Sequence, residues 1–196
     1  MLSIVVLISG SGSNLRAILE ACDNPLFPAK VLAVGSDNPA PGLAYAEEFS
    51  VPTFVVEPKY FGSKLEWATA LLKSTDFLKP DLVILAGFMK LLPESFVNAL
   101  SPRLINMHPS LLPLFPGAHA IKDALAAGAT ETGSTIHIVD NGVDTGPVIS
   151  QRKISIEPGT SESELIDRIK ELEHKHIVDV IRQIANSEID LMKVAN

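Results

Sequence analysis

Four short apolar runs, Ile4–Ile8, Val31–Val34, Thr53–Val56 and Leu82–Leu85, recur through the first half of the chain, with a helical pattern after each of the first three. The runs are apolar on both faces rather than alternating, so both sides of each strand must be covered, which a parallel sheet between two layers of helices achieves. The intervening helices are predicted from about Leu15 to Cys22, Gly42 to Phe49 and Glu66 to Phe77, where Leu65, Ala68, Leu71 and Leu72 keep helical spacing. This pattern predicts an α/β fold: a doubly wound, mostly parallel sheet with a Rossmann-like N-terminal half.

The second half adds a strand at Arg103–His108, a proline-rich loop from Pro109 to Gly117, and strands at Ser134–Val139 and Val148–Ile156. A capping box at Ser161–Glu164 then opens a long helix to about Ala185, with the stripe Leu165, Ile169, Leu172, Val180, Ile181 and Ile184. No linker or repeat divides the halves, so one domain is expected over residues 1–196.

Composition narrows the function. A formal net charge of -7 argues against a nucleic-acid binder, which normally carries a clustered basic surface. The single cysteine, Cys22, excludes an internal disulfide and a cysteine-based zinc site, as suits a reducing compartment. The longest apolar run, Leu82–Met89, has the length of a buried strand, far short of a membrane helix. The first residues lack a charged n-region and run straight into a glycine loop, which does not read as a signal peptide. A cytoplasmic protein without membrane partners is expected.

Ligands of open parallel sheets bind at the carboxyl ends of the strands, and three features fall there. Ser9-Gly10-Ser11-Gly12-Ser13-Asn14 follows the first strand and opens a helix, where backbone amides and the helix dipole favour an anion. The dinucleotide fingerprint fails because Leu15 stands where its third glycine belongs, and the triphosphatase loop fails for want of Gly-Lys-Ser/Thr. Either a phosphate site or a tight turn with Asn14 near the cap fits. In Asn106-Met107-His108-Pro109 the amide and imidazole lie two apart on a strand and so face together, a pairing that suits a carbonyl oxygen gaining charge. The loop Asp140–Gly146 brings Asp144, a carboxylate that favours the charged form of a nearby imidazole. His137, with Thr135 on its face, precedes that loop, so Asp144 can pair with either histidine. His119, His137, His174 and His176 show no metal spacing beyond His174-x-His176, which diverges on a helix, and no metal is expected.

Together, Ile-Ser-Gly-Ser-Gly-Ser-Asn at 8–14, Ala-Gly-Phe-Met-Lys at 86–90, Asn-Met-His-Pro-Ser-Leu-Leu-Pro at 106–113 and Val-Asp-Thr-Gly-Pro-Val-Ile at 143–149 resemble the phosphoribosylglycinamide formyltransferases (GAR transformylases), nearly along the whole chain and in order. The resemblance implies an enzyme of purine biosynthesis that moves a formyl group from 10-formyltetrahydrofolate, as co-substrate, to the amino group of glycinamide ribonucleotide. It implies Asn106, His108 and Asp144 as the catalytic set, and Gly12, Ser13, Asn14, Lys170 and Glu173 on the ribonucleotide. Lys64, Met89, Lys90, Leu91, Leu92 and again Asn106 fall on the folate side. The ribonucleotide loop is thus expected within 1–100, and the catalytic residues and folate loops within 80–150. Lys64 and Lys90 stand where the resemblance leads one to expect arginine, whose planar fork grips a carboxylate through two bonds. The competing readings are a hydrolase that deformylates the same folate, a formyltransferase acting on another amine, a nicotinamide-dependent oxidoreductase built on the Gly10/Gly12 loop, and a non-catalytic nucleotide-binding module.

Overall fold

The computed structural model describes residues 1–195; Asn196, the last residue of the expected domain, lies outside them. Strands β1 (Leu2–Ile8), β2 (Ala29–Ser36), β3 (Thr53–Val55), β4 (Leu82–Leu85), β5 (Leu104–His108), β6 (Glu131–Ile138) and β7 (Val148–Ser155) form one sheet in the order β3-β2-β1-β4-β5-β6-β7. Strands β1 to β5 pair in parallel, whereas β6 and β7 join antiparallel. The chain therefore winds outward from β1 to β3, returns across the sheet to β4, and finishes in a meander. The reversal falls between β1 and β4, which opens a crevice at their carboxyl ends.

Both faces of β1 are buried, as its unbroken apolar run predicts. Ile4, Val6 and Ile8 face a layer built from α1 (Ser13–Asp23), α2 (Leu43–Glu48) and α6 (Glu162–Ala185), through Leu15, Ile18, Ala46, Ile177 and Ile181. Val5 and Leu7 face the opposite layer, α3 (Lys64–Asp76) and α4 (Glu94–Leu100), through Trp67, Leu71, Phe96 and Leu100. Each such side chain, fully withdrawn from water, contributes about 1.5–3 kcal/mol.

Helix α3 begins earlier than its apolar spacing suggests. Ser63 Oγ accepts from the Glu66 backbone N–H, an N-cap that starts the helix at Lys64, and the Glu66 carboxylate accepts from the N–H of Gly62 just before it. Its buried stripe is Trp67, Ala68, Leu71 and Thr75, while Leu65 is exposed. Three short helices carried too little periodicity to be read: α4, α5 (Ala120–Ala126) and α7 (Leu191–Val194). In α4, Pro93 precedes a first turn opened by Glu94, a start signal on a seven-residue helix that spans barely two turns. No helix among the described residues is long and apolar enough to cross a membrane.

Candidate active site

Strand β5 ends in Asn106 and His108, and β6 runs back beside it so that His137 lies directly across from Asn106 and Thr135 across from His108. Directly opposed residues of an antiparallel pair share a face. The Asn106 amide and the His137 ring are therefore side by side, and the loop after β6 drops Asp144 between the two histidines. Asp144 Oδ2 lies 3.3 Å from His108 Nδ1, and Oδ1 lies 3.5 Å from His137 Nε2 and 3.4 Å from the Asn106 amide nitrogen. Asn106 Nδ2 is also 3.2 Å from His137 Nε2. Both pairings left open by the sequence are realised at once.

The proline-rich loop closes this cluster from the other side. His108 Nε2 lies 2.8 Å from the Phe115 carbonyl, an acceptor, so that nitrogen carries its hydrogen there. Nδ1, facing Asp144, is the nitrogen left to hold and pass on a proton. The Gly117 backbone N–H donates to Asp144 Oδ2 at 2.8 Å. The loop is tied to the sheet by Thr135, whose hydroxyl donates to Ser110 O and accepts from Leu112 N–H and Gln151 Nε2. His137, the Gly117 N–H and His108 together pull the Asp144 carboxyl down to about 2 against the cost of its partial burial. It stays ionised throughout the neutral range.

The cluster borders a cavity of about 320 Å³ lined by Asn106, His137, Asp144 and, across from them, Lys64, Lys90, Leu91 and Leu92. A neighbouring groove of about 510 Å³ runs between Trp67, Phe61 and Met89 and shares Lys64, Lys90 and Leu91. The apolar side chains Met89 and Leu91 are 76% and 65% exposed there, a large apolar surface left open at a cleft mouth. The residues expected on the folate side are thus contiguous with Asn106 and Asp144 of the expected catalytic set.

The glycine loop lies on the other flank of the crevice. Gly12, at φ 73°, caps α1, and Ser13 and Asn14 start it. The glycine is required by packing as well: a Cβ on Gly12 would come within 2.9 Å of Gly42 Cα. Asn14 Nδ2 donates to Glu173 Oε2 of α6 at 3.0 Å, and Asn14 Oδ1 is buried without a protein partner. Glu173 is 7% exposed rather than solvated on the helix face, and burial pushes its carboxyl up to about 7 against the pull of Asn14 and Lys170. Lys170 is exposed one turn earlier on the same helix. Among the described residues no group of three or more His, Cys, Asp or Glu is arranged to hold a metal ion.

Sequence reasoning missed the Phe115 carbonyl and the Gly117 N–H, because backbone groups carry no residue-type signal. The turn residues Pro116 and Gly117 were the trace that could have pointed there.

The profile of the formyl transferase family matches residues 2–181. The chain is 40% identical over 189 residues to a phosphoribosylglycinamide formyltransferase of Mycobacterium tuberculosis, covering 96% of this chain and 87% of that protein. It is 39% identical over 191 residues to the protein of that name from Escherichia coli, covering 97% and 90%. Among solved structures, glycinamide ribonucleotide transformylase 1 from Symbiobacterium toebii superposes with a TM-score of 0.92 at 39% identity, over 95% of this chain and 89% of that one. The family match spans most of the chain and these relatives are covered over nearly their whole length, and on that ground the chain belongs to the formyl transferase family.

Proposed function

We propose that this protein transfers the formyl group of 10-formyltetrahydrofolate to the amino group of glycinamide ribonucleotide, releasing tetrahydrofolate. The observation that carries the reading is the Asp144 carboxylate set between His108 and Asn106 at the wall of a cleft, with an anion-type glycine loop on the opposite flank. The protein acts as one domain on two small molecules, neither a nucleic acid nor a membrane, and its setting is the cytoplasm.

The substrate amine attacks the formyl carbon, so the new N–C bond forms as the carbonyl oxygen takes up charge. Asn106 stands ready to donate to that oxygen: its amide hydrogens are spent on contacts of 3.2 and 3.4 Å, long enough to be exchanged for a stronger acceptor. His108 Nδ1, the nitrogen that Phe115 does not engage, supplies a second donor when it carries a proton, and losing one such donor typically costs about 2.7–4 kcal/mol of barrier. Asp144 compensates the charge on that ring. As the bond to the folate nitrogen breaks, the proton shed by the attacking amine passes to the leaving nitrogen, and His108 with Asp144 is the acid–base pair within reach.

The phosphate of the ribonucleotide falls to Gly12, Ser13 and Asn14, where α1 begins, with Lys170 adding charge and Glu173 accepting from a ribose hydroxyl. The folate occupies the side of Lys64, Met89, Lys90, Leu91 and Leu92, an apolar slot with backbone groups at its edge. Absorbance monitoring of tetrahydrofolate release, with and without glycinamide ribonucleotide, tests the whole reading. Release that requires the ribonucleotide is expected; release without it identifies a deformylating hydrolase instead.

A further inference from the structure

Asp37 is a buried carboxylate that the formyl-transfer chemistry does not use. It stands one residue beyond β2 with its side chain 3% exposed, and Lys90 Nζ lies 3.7 Å from its Oδ2. Asn38 Nδ2 donates to its Oδ1 at 3.0 Å. Lys90 comes from the loop after β4, and β1 lies between β2 and β4, so the ion pair joins the ends of the two strands that flank β1.

The backbone around the pair is stitched together. Asn38 Nδ2 also donates to the Ser9 carbonyl, Ser9 Oγ accepts from Met89 N–H, and Ser9 N–H donates to the Gly87 carbonyl. Asp37 is therefore fixed in place, whereas the Lys90 side chain is 49% exposed and lines both the cavity and the groove. A fixed carboxylate beside an ammonium holds it and cancels most of its charge towards an approaching anion. Lys64, the other cation of the cavity and the groove, makes no ion pair among the described residues.

We propose that Asp37 sets the specificity of the folate groove for anionic tails by holding and neutralising Lys90, which leaves Lys64 as the cation that answers the carboxylates of a glutamate tail. Asp37 is a positioning residue in this scheme and touches no substrate. The proposal rests on the reading of the cleft as the folate site.

The test compares KM for three formyl donors in the tetrahydrofolate-release assay: with no glutamate, with one, and with a chain of three. Asp37→Asn keeps the acceptor for Asn38 but frees the Lys90 charge. It should lower KM for the triglutamate donor by about threefold, the scale of a surface ion pair. The gain should fade in high salt. KM for the donor without glutamate should not move, and kcat should stay within about twofold. Lys90→Met in the Asp37→Asn background should abolish the gain. Lys64→Met, with Asp37 intact, tests the other half without touching the buried carboxylate: KM for the triglutamate donor should rise by about threefold, and KM for the donor without glutamate should not rise with it. Equal KM changes for all three donors, or none for any, would overturn the proposal and leave the cleft reading standing. Failure of the wild-type protein to release tetrahydrofolate from any donor would overturn both.

Discussion

Asp144 sits at φ 55°, a left-handed conformation that a non-glycine residue adopts at a cost of about 1–3 kcal/mol. The conformation turns its carboxylate back from the β6–β7 loop towards both imidazoles, while the Thr145 hydroxyl and the Gly142 N–H donate to the Asp140 carboxylate and hold the loop in shape. Phe115 is in the same region of backbone space at φ 53°, and its carbonyl is the one that meets His108 Nε2. Two strained residues thus orient His108, the histidine proposed to act in catalysis. Asp144→Asn preserves the shape but removes the charge, so kcat should fall by roughly 10²- to 10⁴-fold, with KM for each substrate within a few-fold of wild type. Steady-state kinetics on both substrates reads this split, and a matching loss in KM would show that Asp144 binds rather than activates.

At the scale of elements, the crevice is made where α1 and α2 meet the end of β1. Gly12 and Gly42 pack backbone to backbone, and Gly42 N–H donates to Gly10 O at 3.1 Å. Gly42 has an ordinary helical φ of -63°, so its requirement is purely steric: a Cβ there would lie 2.8 Å from Gly12 Cα and 2.9 Å from Ile8 Cδ1. Gly42→Ala should therefore cost about 1–3 kcal/mol of overpacking in a urea melt. It should also raise KM for the ribonucleotide while sparing KM for the formyl donor, because the displaced element is the glycine loop. Across the crevice, the β4 loop presents Met89 and Leu91 with their apolar side chains open. A bound folate analogue should slow amide hydrogen exchange at residues 88–92, and protection confined to 12–14 would move the folate to the other flank.

The whole molecule answers to pH through buried groups on one long helix. His176 of α6 is buried between Ser134 and Ser150, and burial pulls its imidazole down to about 4 from an ordinary value near 6.5. Its contribution to stability is complete above about pH 6.5 and declines as the pH falls towards 4, because the unfolded chain takes up the proton first. Glu173, pushed up to about 7, works in the opposite sense: its contribution is complete below about pH 4.3 and is lost as the pH rises through 7. Between about pH 4.5 and 6.5 the two slopes oppose each other. Urea melts of the ligand-free protein should show a broad plateau there, with a fall on the acid side that Asp144 steepens as it nears about 2. Glu173→Gln removes the alkaline slope, so its stability should climb steadily from about pH 4.5 to 6.5; a variant that retains the plateau would show that Glu173 is not the opposing group.

The layered sheet was legible in the residues because burial on both faces of a strand leaves an unbroken apolar run, as at Ile4–Ile8 and Leu82–Leu85, and because helices announce themselves by period and cap. Asn106 and His108 were legible for the same local reason: two positions apart on a strand is one face. Short helices such as α4 and α5 escaped, since two turns carry too few apolar positions to establish a period. What only the tertiary structure decided was everything that depends on distant backbone. The antiparallel return of β6 set His137 beside Asn106, 31 positions away, and so gave Asp144 two imidazoles rather than one. A carbonyl at Phe115 and an amide at Gly117 completed the cluster. Nothing local marks Glu173 as buried, yet the packing of α6 against α1 takes it out of water beside Asn14, where the same carboxyl changes its chemistry. Side-chain identity and spacing are written in the chain itself, but a residue's dielectric surroundings and its partners from other strands exist only once the sheet has closed.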